Sequence, residues 1–131
     1  VADYVTIDSH SGIGTYLGHV QVIQGSTKLD ADKLITYFDK NRKLTKAVAT
    51  GNPAHYETIP QSGDKVMQAS ALSIEYYPQA GYALLIGNAQ VIQNNNSLQA
   101  DKLKYDYKNG LVHTTQRTKI VLQPNTQTKI P

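Results

Sequence analysis

The chain has 131 residues, a length typical of one domain. Apolar residues make up 40% and charged residues 18%, which is too apolar for a disordered chain, and no apolar run reaches the ~18 residues of a membrane-spanning helix. The net charge of +3 comes from scattered basic residues, so we expect no nucleic-acid partner, and the absence of cysteine excludes disulfides and thiolate metal sites.

Residues that favour tight turns divide the chain at regular intervals and predict where its strands end. Between these turns Val, Ile, Thr and Tyr prevail, and apolar and polar positions alternate, as in Val20-Gln21-Val22 and over residues 103–107. No segment shows the 3.6-residue period of a helix. The pattern predicts an all-β meander of antiparallel strands with turns at residues 25–27, 40–42, 60–64, 78–81, 94–97 and 108–110.

The predicted strands are about 10 to 15 residues long, whereas strands in globular proteins most often have about 5 to 6. Gly18, Gly51 and Gly87 lie in the middle of three such segments. Glycine inside a strand permits a bulge or a sharp bend. We therefore expect each long strand to bend there and to contribute to two walls of a jelly roll or sandwich, because a large flat sheet would leave its apolar face in water.

An internal repeat supports this architecture. Residues 18–34 and 87–103 are identical at ten of seventeen positions, and each contains Gly-x-x-Gln-Val-Ile-Gln followed by Leu-x-Ala-Asp-Lys-Leu. Since one such unit cannot bury its apolar face alone, four stacked units are expected to enclose one interior. The first copy lacks its glycine half, so we expect the natural chain to begin before Val1. Partial copies lie at residues 2–5, 51–54 and 69–72.

The order and spacing of these motifs resemble the OstA-like (LptA-type) family of lipopolysaccharide-transport proteins, and most closely its periplasmic bridge component. The resemblance covers roughly residues 2–124, so we predict one OstA-like domain at 1–124 and a polar tail at 125–131. Gly14 departs from the family pattern, in which a larger apolar side chain is usual. The motifs are Gly51-Asn52-Pro53-Ala54 with Tyr56, Ala69-Ser70 with Glu75, Gly87-Asn88-Ala89, and the final segment 117–124.

The resemblance implies a twisted β-jelly roll in the periplasm that binds lipopolysaccharide, takes the acyl chains of lipid A into its interior and needs no cofactor. It also implies head-to-tail self-association, and contacts with the inner-membrane transport complex and the outer-membrane translocon. The edge strands, expected at residues 2–8 and 111–122, would make these contacts. The alternative within the family is an OstA-like domain of the translocon, or of the inner-membrane-tethered partner, that acts as a structural docking module.

Residues of one parity along each strand should face the interior. With the repeats taken as equivalent, they are candidates for lipid contact, and Tyr56 joins them through the resemblance, with Pro53 shifting the local register. From the residues alone, a packed hydrophobic core is an equally good interpretation. The candidates are Val5, Ile7, Tyr16, Val20, Val22, Leu34, Phe38, Tyr56, Leu72, Ile74, Tyr76, Ala89, Val91, Leu103, Tyr105 and Tyr107.

Catalytic and metal-binding patterns are weak. Residues 8–11 (Asp-Ser-His-Ser) group a carboxylate, hydroxyls and an imidazole, but no nucleophile elbow surrounds either Ser, so a polar turn is the better interpretation. Asp3, Asp32 and Asp101 recur with the repeat, which favours an architectural role. We expect neither an enzyme nor a metal site, because no paired ligand spacing is found among His10, His19, His55 and His113.

Overall fold

The structure is a computed structural model that describes residues 1–59, 66–93, 95–114 and 118–122. Within these residues every regular element is a strand, and no helix capable of crossing a membrane is found there. The predicted turn at 60–64 and the predicted tail at 125–131 lie outside the described residues. The strands are β1 (Tyr4–Asp8), β2 (Ile13–Gln24), β3 (Thr27–Phe38), β4 (Leu44–Thr58), β5 (Met67–Tyr77), β6 (Tyr82–Gln93), β7 (Asn96–Asp106), β8 (Leu111–Thr114) and β9 (Thr118–Val121).

The strands form one antiparallel sheet in which each pairs with its neighbours in the sequence, from β1 to β8. β8 pairs with one half of β7, at residues 103–106, and β9 pairs with the other half, at residues 97–100. The two short strands therefore pair with the two arms of β7, one on each side of its bend. The predicted all-β meander is confirmed.

The long strands all bend at one level, because the register of every pair from β2–β3 to β6–β7 shifts there. Gly18, Gly51 and Gly87 lie within these shifts, so the predicted bends are confirmed. Pro53 lies in the same irregular segment of β4, between Thr50 and Ala54, and accompanies the predicted change of register. Each strand consequently has two arms, and the two arms belong to different walls of the fold.

Two of the glycines are required by the side chains that pack on them. Gly18 and Gly87 have φ of 77° and 88°, a left-handed conformation that costs other residues strain. A Cβ on Gly18 would lie 2.5 Å from Asp3 Oδ2, and one on Gly87 would lie 3.0 Å from the Cβ of Leu72. Asp3 and Leu72 thus occupy equivalent places, since both follow the alanine of the Leu-x-Ala-Asp repeat.

This equivalence corrects one expectation. Leu72 was predicted to face the interior, but it occupies the outward position that Asp32 holds in the best-conserved copy of the repeat, and its side chain is 44% exposed. Ala71 and Ile74 are both buried although they are three residues apart, because two consecutive residues at the bend face outward. The period of two is broken there, and the prediction for Leu72 is wrong.

The inner face is built from rows of side chains that cross the sheet, because paired residues of antiparallel strands share a face. One row runs from Leu34 through Ala49, Ile74 and Leu85 to Leu103. At the bend the buried inner side chains are small, which lets the two walls close on each other without a clash. These small residues are Ala31, Ala54, Ala71, Ala89 and Ala100.

The sheet has a bare edge at β1, whose five residues are all exposed and which, among the described strands, pairs with β2 alone. Val5 lies opposite Tyr16, and Ile7 lies opposite Gly14, so both face inward as their parity predicts. They are nevertheless 53% and 69% exposed, because no further strand covers them. The expectation that they lie within an enclosed interior is wrong for this single chain.

Aspartates hold several of the turns by accepting backbone N–H groups. Asp8 accepts from Ser11 and His10, and Asp39 accepts from Lys43 at 3.0 Å. These hydrogen bonds hold the pKa of both carboxyl groups below their ordinary value, the Ser11 and Lys43 contacts being the largest causes. The Asp-Ser-His-Ser segment at 8–11 is therefore a polar turn, as predicted.

Candidate lipid-binding cavity

A cavity of about 610 Å³ opens on the inner side of the sheet. Its walls come from β2 to β7 and from the turns at 78–81 and 107–110, so it extends along both arms of the bent strands. Most of its lining is aliphatic or aromatic. The lining residues are Val22, Gln24, Thr27, Leu29, Leu34, Thr36, Leu44, Ala47, Ala49, Tyr56, Thr58, Ile59, Ile74, Tyr76, Pro78, Gln79, Gly81, Ala83, Tyr105, Tyr107 and Lys108.

The cavity exists because small residues occupy inner positions where large ones would fill the space. Ala47, Ala49 and Ala83 are buried and line it. Protein interiors are normally packed without voids of this size, so inner alanines between larger neighbours in two adjacent rows leave room for a ligand. The volume is set by side-chain size on several strands at once.

Gly14 does not widen the interior, although it lacks the side chain that relatives were expected to carry. A Cβ at Gly14 would lie 2.7 Å from Thr36 Oγ1 and 3.2 Å from both Cε1 and the hydroxyl of Tyr16. The ring of Tyr16 and the hydroxyl of Thr36 therefore fill the place of the missing side chain.

Tyrosines form much of the wall near the 78–81 turn. The rings of Tyr76 and Tyr107 stack with centroids 5.7 Å apart, and Tyr105 lies 6.1 Å from Tyr107. Burial raises the pKa of Tyr56, Tyr105 and Tyr107 above the ordinary value. These phenols therefore stay neutral at physiological pH and keep the wall uncharged.

Hydroxyl groups in the lining differ in whether they have partners. Thr58 and Thr27 satisfy each other, with their Oγ1 atoms 2.9 Å apart. Thr36 Oγ1 is buried and has no hydrogen-bond partner among the described residues, whereas the buried hydroxyl of Tyr107 lies close to the side chain of Tyr76, a contact that helps to raise the pKa of Tyr107. The lining is thus mainly apolar, with polar side chains at Gln24, Gln79 and Lys108 besides the hydroxyl groups.

The structure brings together most of the predicted interior residues. Seven line the cavity: Val22, Leu34, Tyr56, Ile74, Tyr76, Tyr105 and Tyr107. Four more are buried in the core without lining it, and a fifth packs against that core: Val20, Ala89, Val91 and Leu103, and Tyr16. The remaining four, Val5, Ile7, Leu72 and Phe38, are exposed.

Phe38 is the fourth exception. It is the last residue of β3, directly after a register shift between Tyr37 and Phe38, and it does not line the cavity. Its backbone N–H donates to the carbonyl of Gly12 in the neighbouring turn. The expectation that Phe38 faces the interior is wrong, because the strand and its alternation end there.

Sequence reasoning missed several lining residues that the same alternation could have identified. Leu29 pairs with both Val22 and Tyr56, and Thr36, Ala47 and Ala83 share the inner row of Tyr76. Their parity was available, but Ala and Thr carry a weak hydrophobic signal. Leu44, Ile59 and the residues contributed by turns had no periodic signal at all.

Nothing in the described ranges groups three side chains that could hold a metal ion. His19 Nδ1 lies 2.9 Å from Asp3 Oδ2 on the surface, and this contact is the largest cause of the raised pKa of His19. It ties the segment before β1 to the bend of β2, which agrees with the predicted architectural role of the repeated aspartate.

The fold and the cavity together define an antiparallel, bent β-sheet protein with an apolar interior of ligand size and an exposed edge strand. The chain belongs to the family described as LptA/(LptD N-terminal domain) LPS transport protein, whose sequence pattern matches residues 1–111.

Two curated relatives and one solved structure show how far the similarity extends. The chain is 34% identical over 117 residues to lipopolysaccharide export system protein LptH of Pseudomonas aeruginosa, covering 89% of this chain and 67% of that protein. It is 26% identical over 105 residues to lipopolysaccharide export system protein LptA of Escherichia coli K12, covering 79% of this chain and 56% of LptA.

The crystal structure of LptH, described as the LptA-homologous periplasmic component of the lipopolysaccharide transport device of P. aeruginosa, superposes with a TM-score of 0.87. The sequence identity is 32%, and the match covers 95% of this chain and 93% of that one. The predicted OstA-like, twisted jelly-roll fold is therefore confirmed, as is the predicted family.

Proposed function

We propose that this protein is a non-enzymatic lipopolysaccharide carrier of the periplasm, which shields the acyl chains of lipid A in the cavity. The observation that carries this proposal is an apolar cavity of about 610 Å³ inside a sheet that belongs to a lipopolysaccharide-transport family. The names of LptH and LptA as export-system proteins support the choice of ligand.

The lining suits hydrocarbon chains on energetic grounds. Each methylene removed from water contributes about 0.8 kcal/mol, so ten buried methylenes contribute roughly 8 kcal/mol before ordering costs. Pockets for small molecules usually measure about 300–1,000 Å³, a range that includes this cavity. Neutral tyrosines and aliphatic side chains can therefore hold acyl chains without any ion pair.

Head-to-tail assembly is the second part of the proposal. The inner row that contains Thr36, Ala47 and Tyr76 begins at Ile7 on β1 and ends at Val112 on β8. An edge strand can pair with the edge of another subunit, and unlike edges joined in this way form an open filament. Such pairing would cover Val5 and Ile7 and continue the apolar inner face from one copy to the next.

The same edges would join the filament to an inner-membrane transport complex at one end and to an outer-membrane translocon at the other. A second candidate is a docking domain within a larger transport protein, because the family description also includes the N-terminal domain of LptD. The sequence of the complete precursor separates the two, since a large barrel after this domain or a membrane anchor before it would reassign the chain.

Two adjacent tyrosines allow a sharp test of lipid binding. Tyr76 lines the cavity, whereas Tyr77 lies on the outer face, where its hydroxyl donates to Glu75. A photo-crosslinking phenylalanine analogue at each position, in cells that make lipopolysaccharide, should capture lipopolysaccharide from position 76 and not from position 77. Equal capture at both positions, or none at 76, contradicts the proposal.

Cysteine pairing tests the assembly, because these 131 residues include no cysteine. Thr6 and His113 lie at opposite edges of one outer row, and Lys46 lies on the outer face of a central strand. Mixed Thr6→Cys and His113→Cys proteins should form disulfide-linked dimers on oxidation, whereas Lys46→Cys paired with either should not. Absence of the Thr6–His113 product would contradict the edge-to-edge arrangement.

A further inference from the structure

One charged side chain lines the otherwise neutral cavity. Among the lining residues only Lys108 carries a charge, and this exposed residue lies at the rim that the turns at 78–81 and 107–110 form. Within the part of the chain that the structure describes, its side chain forms no ion pair and no hydrogen bond. Pockets for small molecules are mostly apolar, and the few polar groups in them fix the orientation of the ligand. The position of this cation therefore indicates the chemistry of one end of the ligand.

The neighbouring turn holds the stem of Lys108 in place. The backbone N–H of Lys108 donates to the carbonyl of Gly81 at 3.2 Å, and a Cβ added to Gly81 would lie 2.8 Å from Cβ and 3.1 Å from Cδ of Lys108. The methylene groups thus occupy the space that the glycine leaves open. Because Gly81 is buried and lines the cavity, the stem of Lys108 lies along the rim while its ammonium group remains in water.

The acidic side chains of the adjoining turns already have partners of their own. Asp106 accepts the backbone N–H and the side-chain amide of Asn109 at 3.1 and 2.9 Å. Asp39 accepts the N–H of Lys43, which is the largest cause of its lowered pKa, and the charge of Lys43 adds to that effect. Among the described residues the ammonium group of Lys108 is therefore left without a carboxylate partner and is available to a ligand.

We propose that Lys108 binds an anionic head group, such as a phosphate ester, on the amphiphile whose chain occupies the cavity. This inference rests on the proposed function, since it concerns the same cavity. A lysine ammonium group carries a full charge and donates up to three hydrogen bonds, so it suits a phosphate oxygen. The chain would extend from the rim past Tyr76 towards Val22 and Leu29, which line the cavity on the other arm of the sheet.

Two probes with the same chain separate the head group from the chain. Dodecyl phosphate and dodecanol, both at concentrations where they are monomeric, are measured by displacement of a fluorescent apolar dye from the full chain. We expect Lys108→Met to lower the affinity for dodecyl phosphate, relative to that for dodecanol, by about two- to fivefold, the range typical of an exposed ion pair. The difference should shrink as the salt concentration rises from about 0.02 M to about 0.5 M. Inorganic phosphate at the concentration of dodecyl phosphate should not compete with it, because inorganic phosphate has no chain to bury.

Matched variants assign the effect to one residue. Lys108→Met keeps an unbranched stem and removes the charge, whereas Lys108→Arg keeps the charge. Lys102→Met removes a charge of the same sign from an exposed lysine of β7 that does not line the cavity. The affinity ratio of dodecyl phosphate to dodecanol should fall in Lys108→Met and stay near the wild-type value in the other two variants. Because both lysines are exposed, all three variants should fold like the wild type.

The outcomes separate this inference from the proposed function. If the ratio is the same in the wild type and in Lys108→Met, or falls equally in Lys102→Met or Lys108→Arg, recognition of the head group by Lys108 is rejected while the lipid cavity stands. Competition by inorganic phosphate would reveal a site for free anions and would also overturn the assignment. If neither probe displaces the dye from the wild type, the cavity does not bind such chains, and both proposals are rejected.

Discussion

Leu34 and Leu103 allow a direct test of whether the interior is a cavity or an ordinary core. They belong to one inner row, and their side chains are 5% and 0% exposed, so they are nearly equal in burial. Leu34 lines the cavity and Leu103 does not. Substitution of each by alanine removes the same atoms from two different surroundings.

The expected costs follow from what surrounds each side chain. Loss of three carbon atoms from an apolar site costs roughly 2.4 kcal/mol at ~0.8 kcal/mol each. At Leu103 a new void also forms among packed atoms, and at ~24 cal/mol per Å³ a void of ~80 Å³ adds about 2 kcal/mol. At Leu34 the space left by the side chain joins the existing cavity, so little new enclosed void forms. We expect free energies of unfolding lowered by about 4–4.5 kcal/mol for Leu103→Ala and about 2–2.5 kcal/mol for Leu34→Ala.

Urea denaturation of the two variants and the wild type, followed by far-UV circular dichroism, measures these differences. A second series with a saturating acyl ligand should bring the two costs closer together, because a chain in the cavity contacts Leu34 and makes its loss more costly. Equal costs without ligand, or a larger cost for Leu34→Ala, would show that the cavity is filled by the protein's own side chains and would refute the argument.

Three further outcomes follow from the structure. Gly87→Ala should lower the free energy of unfolding by about 2–3 kcal/mol in urea titrations, and Gly25→Ala by only about 1 kcal/mol. Both glycines have positive φ, but only at Gly87 would the new methyl group meet a close neighbour. Equal losses of stability in the two variants would contradict this explanation. Asp39→Ala should flatten the loss of stability on acidification from about pH 5 to pH 2. The hydrogen bonds that lower the pKa of Asp39 stabilise the fold above its unfolded value of 3.8, and this contribution disappears as the pH falls through the lower folded value, so an unchanged acid profile would argue against it. Ala49→Phe should fill the cavity, so the variant should no longer bind a fluorescent apolar dye although its circular dichroism spectrum is unchanged. Dye binding equal to that of the wild type would show that acyl chains bind outside this cavity.

The bent sheet also explains how one repeated motif contributes both to the bend and to the inner row of side chains. The alanine of Leu-x-Ala-Asp-Lys-Leu lies inside the bend at Ala31 and Ala100, and the leucine that follows lies in the inner row at Leu34 and Leu103. The intervening Asp-Lys pair faces outward, because the chain changes direction between the two walls. Repetition of the motif therefore stacks equivalent bends, and an apolar interior forms on the inner side of them.

The sequence alone determined the strands, their antiparallel order and their bends, because these depend on local properties. Alternation of apolar residues, turn-forming residues between strands, and Gly18, Gly51 and Gly87 within them all act over a few neighbouring positions, and the structure agrees with each. The internal repeat and the family resemblance extended these local predictions to the jelly-roll fold, which the similarity to LptH confirms.

Only the tertiary structure decided which inward-facing residues line the cavity. Leu34 and Leu103 have the same motif and the same parity, yet one lines the cavity and the other is packed, because the void depends on side-chain volumes contributed by strands far apart in the sequence. The register shift that turns Leu72 outward, the bare edge that exposes Ile7, and the unpaired hydroxyl of Thr36 likewise arise from contacts across strands. No periodicity along a single strand encodes them.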